Sequence, residues 1–134
     1  MKLQDSINIY LSASDAGVDD LKQNMAGKIT EKVTSYINTV QCIYQKYGFN
    51  FSFPSDKNEV DFDELADDSK RGYIGTLDYN GFRIAEIDNF DPKAFEIEFR
   101  EEKITNAVRR LGEKQEELAE AERELRRLQN INVN

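Results

Sequence analysis

The chain has 134 residues, 39% hydrophobic and 33% charged, a size and balance that support one folded domain, 1–134, with a modest core. It contains no histidine and one cysteine, Cys42, which removes the commonest general base and metal ligand, excludes the usual zinc sites and any internal disulfide, and points to a reducing compartment. The net charge of −8 lies wholly in residues 54–99, with thirteen acids and five bases against neutral flanks, which disfavours direct contact with nucleic acid or an anionic membrane and favours a basic protein surface.

In chain order, residues 3–12 support two readings. Leu3, Ile7, Ile9 and Leu11 alternate as in a strand, while Leu3, Ile7, Tyr10 and Leu11 form a helical face that Gly17 and Val18 would close. The short helix is preferred. Asp19 opens a second helix, 19–47, whose apolar residues Leu21, Met25, Ile29, Val33, Tyr36, Val40, Tyr44 and Tyr47 keep steps of three or four, with Ile37 and Ile43 broadening the stripe and Gly48 as its stop. Cys42 falls inside this pattern, so a buried, inert thiol is expected there. No run of eighteen apolar residues occurs, and the N-terminus lacks the basic and apolar regions of a signal peptide, so a cytoplasmic protein is expected.

Residues 49–88 form an acidic, β-rich insert. Phe49, Phe51 and Phe53 alternate strictly and predict a strand ended by Pro54. A short helix is expected next, started by Asp61 or Asp63 and running through Leu65 to Arg71, closed by Gly72. Residues 73–88 predict a β-hairpin: Asn80-Gly81 is the preferred type I′ turn pair, flanked by Ile74, Leu77 and Tyr79 on one side and Phe82, Ile84 and Ile87 on the other. Residues 94–99 alternate as a strand would, yet Asp91-Pro92 is a helix start signal and the residues after Pro92 are rich in Glu, Lys, Ala and Arg. A single helix over 91–129 is preferred. Ile97, Ile104, Leu111, Leu118 and Leu125 recur every seven residues along it, with Ala107, Ala121 and Leu128 three residues after three of them.

Two stretches are candidates for function. Asp56, Glu59, Asp61, Asp63, Glu64, Asp67 and Asp68 would present a negative surface to a basic partner, competing with nucleic acid for a Lys/Arg groove; the plainer alternative is a solvated loop and helix start. A calcium loop aligned on Asp56 fails, since Val60 and Asp61 stand where a ligand and a glycine are required. The second stretch is the seam Ile104, Leu111, Leu118, Leu125. It would join a second copy in a homodimer, capture a partner helix, or pack inside the chain on 19–47. Lys114, Gln115 and Glu122 interrupt it with polar side chains. Gly72-Tyr73-Ile74-Gly75 is not followed by a helix pattern, so no nucleotide-binding loop is present.

The layout of helix, hairpin and long charged helix over about residues 19–129 resembles prefoldin subunits in topology, which implies a chaperone-like role. Small size, acidity and the missing catalytic residue types resemble phage-encoded inhibitors such as anti-CRISPR proteins. The expectation is therefore an α+β fold, with two long antiparallel helices packed on a small antiparallel sheet and a coiled-coil-like C-terminal helix. The expected function is a non-enzymatic, acidic protein-binding protein, an inhibitor of phage type or nucleic-acid mimic acting on a basic, nucleic-acid-handling partner. The alternative is a structural, assembly or chaperone-like coiled-coil protein. Neither reading calls for a cofactor, a metal, direct nucleic-acid binding or a membrane.

Overall fold

The computed structural model describes residues 1–51, 59–77 and 79–131, with the backbone alone at residues 79 and 80. The fold is α+β, with long helices, a two-stranded antiparallel sheet and a long C-terminal helix. Its elements are α1 (Leu3–Ala16), α2 (Asp19–Lys46), α3 (Leu65–Lys70), β1 (Tyr73–Thr76), β2 (Tyr79–Arg83), α4 (Ile84–Asp88) and α5 (Pro92–Gln129). They fall into two compact units, Met1–Pro92 and Lys93–Asn134.

In the first unit, α1 and α2 form a helical hairpin whose facing stripes make most of the core. The preferred helical reading of 3–12 is what the chain adopts, extended to Ala16. Leu3, Ile7 and Tyr10 from α1 meet Met25, Ile29, Val33 and Ile37 from α2, and Val60, Leu65, Ile74, Phe82 and Ile84 close the cluster. Both helices stop where a glycine reaches positive φ, Gly17 at 70° and Gly48 at 80°. At each stop the next residue reaches back over the last turn, Val18 N–H to Ala13 O at 2.9 Å and Phe49 N–H to Tyr44 O at 2.9 Å. That left-handed step satisfies orphan carbonyls at a conformation where a Cβ would be strained.

Beyond Val33 the buried stripe of α2 runs through Ile37, Val40 and Ile43 rather than through Tyr36 and Tyr44. Tyr36 is half-buried at its margin, edge-on to Phe82 at 6.2 Å and to Phe90 at 4.8 Å between ring centroids. Cys42 is exposed, contrary to the expected burial, because it lies one position off that stripe.

The start of α1 is held from the far end of the unit. Lys2 at its N-cap offers no side-chain acceptor, and the Asp88 carboxylate takes that role, accepting the Leu3 N–H at 2.5 Å and the Gln4 N–H at 3.1 Å. An acid at a helix N-terminus satisfies orphan N–H groups and opposes the helix dipole. Asp88→Ala is therefore expected to lower stability by about 1–2 kcal/mol, and Asp88→Asn by less because one amide oxygen still accepts. Chemical denaturation measures this; an Ala variant as stable as the parent would show that the cap contributes nothing.

The hairpin exists, but not in the register that Asn80-Gly81 predicts. Ile74 pairs with Phe82 and Thr76 with Tyr79, so the chain reverses between Thr76 and Tyr79, and Asn80-Gly81 lies within β2. Gly81 is the extra residue of a β-bulge opposite the Ile74–Gly75 step. Packing decides the matter: this register sets Ile74 opposite Phe82, and both are buried in the core. The second strand also ends sooner than expected. Residues 84–88 form α4, which buries Ile84 and delivers Asp88 to α1.

Residues 49–51 are not a strand, and the rest of that predicted strand lies outside the described residues. Glu59–Asp61 runs along the free side of β1 and joins it through an isolated bridge. Val60 bridges Thr76 in antiparallel sense, Asp61 donates its N–H to Gly75 O at 3.0 Å, and Leu77 donates to Glu59 O at 2.9 Å.

The second unit is helix α5 and its tail. Pro92 at the helix start is the position where its missing N–H does no harm. Residues 94–99 are helical, as the sequence favoured, and Phe95 stacks on Phe99 with centroids 6.3 Å apart. The Lys103 ammonium lies 5.1 Å from the Phe99 ring centroid.

Candidate functional site

The acidic stretch begins on a sheet edge. Alternation along 59–61 turns Val60 into the core and leaves Glu59 exposed and Asp61 half-buried on either side. Phe62 then packs on Tyr10, ring centroids 5.1 Å apart, and Leu65 is buried with no exposure at all. These apolar anchors alternate with the acids, so the carboxylates ride on a fixed backbone. Asp63, Glu64 and Asp67 are exposed, and Asp68 is half-buried. One Asp68 oxygen, Oδ2, and the Thr76 hydroxyl are buried without a hydrogen-bond partner among the described residues. Of the seven predicted residues, Glu59 to Asp68 are thus gathered along one edge and the short helix after it; Asp56 lies outside the described residues.

The seam residues lie on α5. Ile104, Leu111, Leu118 and Leu125 are 52%, 59%, 60% and 55% exposed. Ile97, Val108, Leu128 and Ile131 are also exposed. The helix is about 57 Å long at 1.5 Å per residue, and a polar helix of that length with one apolar line is the form of half a coiled coil. The polar breaks are solvated: Lys114 bonds Glu117 at 3.4 Å, a surface pair that contributes little by itself.

Sequence reasoning missed a cleft of about 840 Å³ in the first unit, between the start of α1, the middle of α2 and the chain after α4. Lys2, Lys28, Lys32, Asp5, Glu31 and Asp88 line it together with Tyr36 and Phe90. Its charges balance, and Asp88 is engaged with the α1 start. No local pattern announces it, because its walls are joined only by the packing of α1, α2 and α4. Among the described residues no group of three Cys, Asp or Glu side chains is placed to hold a metal ion, and no helix is long and apolar enough to cross a membrane.

The molecule is thus an α+β protein that presents two exposed surfaces, an acidic edge and an apolar helical stripe. No family model, curated protein or solved structure matches the chain.

Proposed function

We propose that the protein is a non-enzymatic protein-binding protein of the cytoplasm, acting as an assembly protein through the coiled-coil stripe of α5. The observation that supports this most is the exposure of Ile104, Leu111, Leu118 and Leu125 along one line of a 38-residue helix. An apolar line this long is unfavourable in water and gains by pairing with another helix. The test is a mass measurement by light scattering. The full chain should run above its 15.5 kDa monomer mass. Leu118→Lys should return it to the monomer while helix content by circular dichroism stays nearly unchanged. A parent that remains monomeric at hundreds of micromolar would rule self-assembly out.

A second reading, an acidic inhibitor of phage type that mimics nucleic acid on a basic partner, is favoured by one observation. Asp63, Glu64 and Asp67 lie at the surface on a backbone pinned by Val60 and Leu65, inside the segment that holds the entire charge imbalance. A fixed negative surface speeds encounter with a Lys/Arg groove and loses that advantage as salt screens it beyond ~8–10 Å. Neutralising these three acids, Asp63→Asn, Glu64→Gln and Asp67→Asn, is expected to leave melting unchanged or slightly raised. It should slow association with a nucleic-acid-binding partner captured from the source cell. Leu118→Lys should leave that association alone. Equal binding by the triple variant across a salt series would sink the inhibitor reading and leave the stripe.

A further inference from the structure

We infer that α5 pairs with α5 of a second copy in antiparallel orientation, with the two-fold axis passing between Gly112 and Glu113. This rests on the assembly reading above and adds the occupant, the orientation and the register. With Ile97, Ile104, Leu111, Leu118 and Leu125 at the first core position of each heptad, the second core position holds Arg100, Ala107, Lys114, Ala121 and Leu128. A parallel pair would stack Arg100 on its own copy and Lys114 on its own copy inside the seam. On the flanks it would set Glu96 against Glu101 and Glu117 against Glu122, and bring no opposite charges together.

The antiparallel pair reverses this. Each first core position now meets a second core position: Ile104 meets Ala121, Leu118 meets Ala107, and Ile97 meets Leu128. In the Ile104–Ala121 and Leu118–Ala107 layers a large side chain faces a small one, which lets the two backbones approach closely, and Leu125 meets Arg100, whose aliphatic stem covers it while the guanidinium reaches water. Leu111 meets Lys114, whose aliphatic stem covers it while the ammonium reaches Glu117, its neighbour at 3.4 Å on the same helix.

Charge fixes the register. One flank of the stripe reads Lys103, Arg110, Glu117, Glu124, two positive charges followed by two negative. Turned end for end on a second copy, the same flank puts Arg110 beside Glu117 and Lys103 beside Glu124, each twice by symmetry. Sliding the helices by one heptad in either direction brings Glu117 onto its own copy or Arg110 onto its own copy. The opposite flank sets Glu101 near Glu122, a like pair close to the ends, where water screens it. A surface complementary to itself only under a two-fold rotation selects another copy of this chain as its occupant.

The experiment uses the full chain with Cys42→Ser and a spin label at Arg126→Cys, an exposed site near the end of α5. In the antiparallel register residue 126 lies opposite residue 99 of the other copy, so the two labels sit about 40 Å apart at 1.5 Å per residue. A parallel pair brings them within about 20 Å. Alongside this, Arg110→Glu should weaken the dimer about tenfold, two surface pairs having turned repulsive, and Arg110→Glu with Glu117→Arg should restore it to within about threefold. A dimer with labels near 40 Å and restoration by the double variant is the expected result. A dimer with labels within 20 Å, or one in which the double variant is no better than Arg110→Glu, overturns the orientation and leaves the assembly reading standing. A chain that is monomeric before any substitution overturns both.

Discussion

Truncating Ile29 to alanine is expected to lower the stability of the first unit by about 3–4 kcal/mol, a large part of what a small domain possesses. Ile29 has no exposed surface and sits in the centre of the α1–α2 contact, within a cluster that includes Leu3, Ile7 and Val33. The loss combines lost transfer free energy with the cavity left behind, because two packed helices collapse only partly onto a deleted side chain. The control is Leu111→Ala, 59% exposed on α5. At dilutions where the chain is monomeric, this second truncation should shift stability by no more than about 0.5 kcal/mol, mostly through helix propensity. Urea unfolding of both variants provides the comparison. Equal losses would mean that the α5 stripe is part of the folded core, and the assembly reading would fail with that result.

Leu65→Ala is expected to cost about 3 kcal/mol and to act on the acidic edge as well as on the core. Leu65 is fully buried, and α3 packs against β1 and α1 through it. Together with Val60 and Phe62 it holds the carboxylates of residues 59–68 to the sheet. Removing its side chain should loosen that edge before the α1–α2 hairpin opens, since Ile29 and its neighbours are untouched. Hydrogen exchange reads this directly. The amides of Asp61 and Leu77, bonded to Gly75 O and Glu59 O, should exchange faster, while those in the middle of α2 change only with the global loss. Uniform acceleration at all sites would show that the edge and the hairpin unfold as one piece.

The asymmetry between these surfaces lies in how each is built. The acidic edge is fixed by tertiary anchors and is sensitive to their loss. The α5 stripe is fixed by helix geometry alone, so its spacing survives substitutions that would unfold the first unit. Variants on α5 therefore test association, whereas variants near Leu65 test association and folding together.

The α+β class, the helices and most of their ends are written locally in the chain. Steps of three and four along 19–46, the stops at Gly17, Gly48 and Gly72, and the Asp91-Pro92 start act within a turn or two, so a linear reading contains them. The seven-residue spacing of the α5 stripe and the confinement of net charge to residues 54–99 are legible in the same way. Tertiary packing decided the rest, each time through a contact between residues far apart. Asn80-Gly81 is a strong local turn signal, yet opposing Ile74 to Phe82 in the core outweighed it and made Gly81 a bulge. Glu59–Asp61 came to lie along β1 because Val60 could be buried beside Thr76, and Ile84–Asp88 became a helix whose last residue caps α1 across 85 positions. Cys42 was left exposed for a related reason: periodicity states which residues share a face, and only the packed chain states which part of a face is covered.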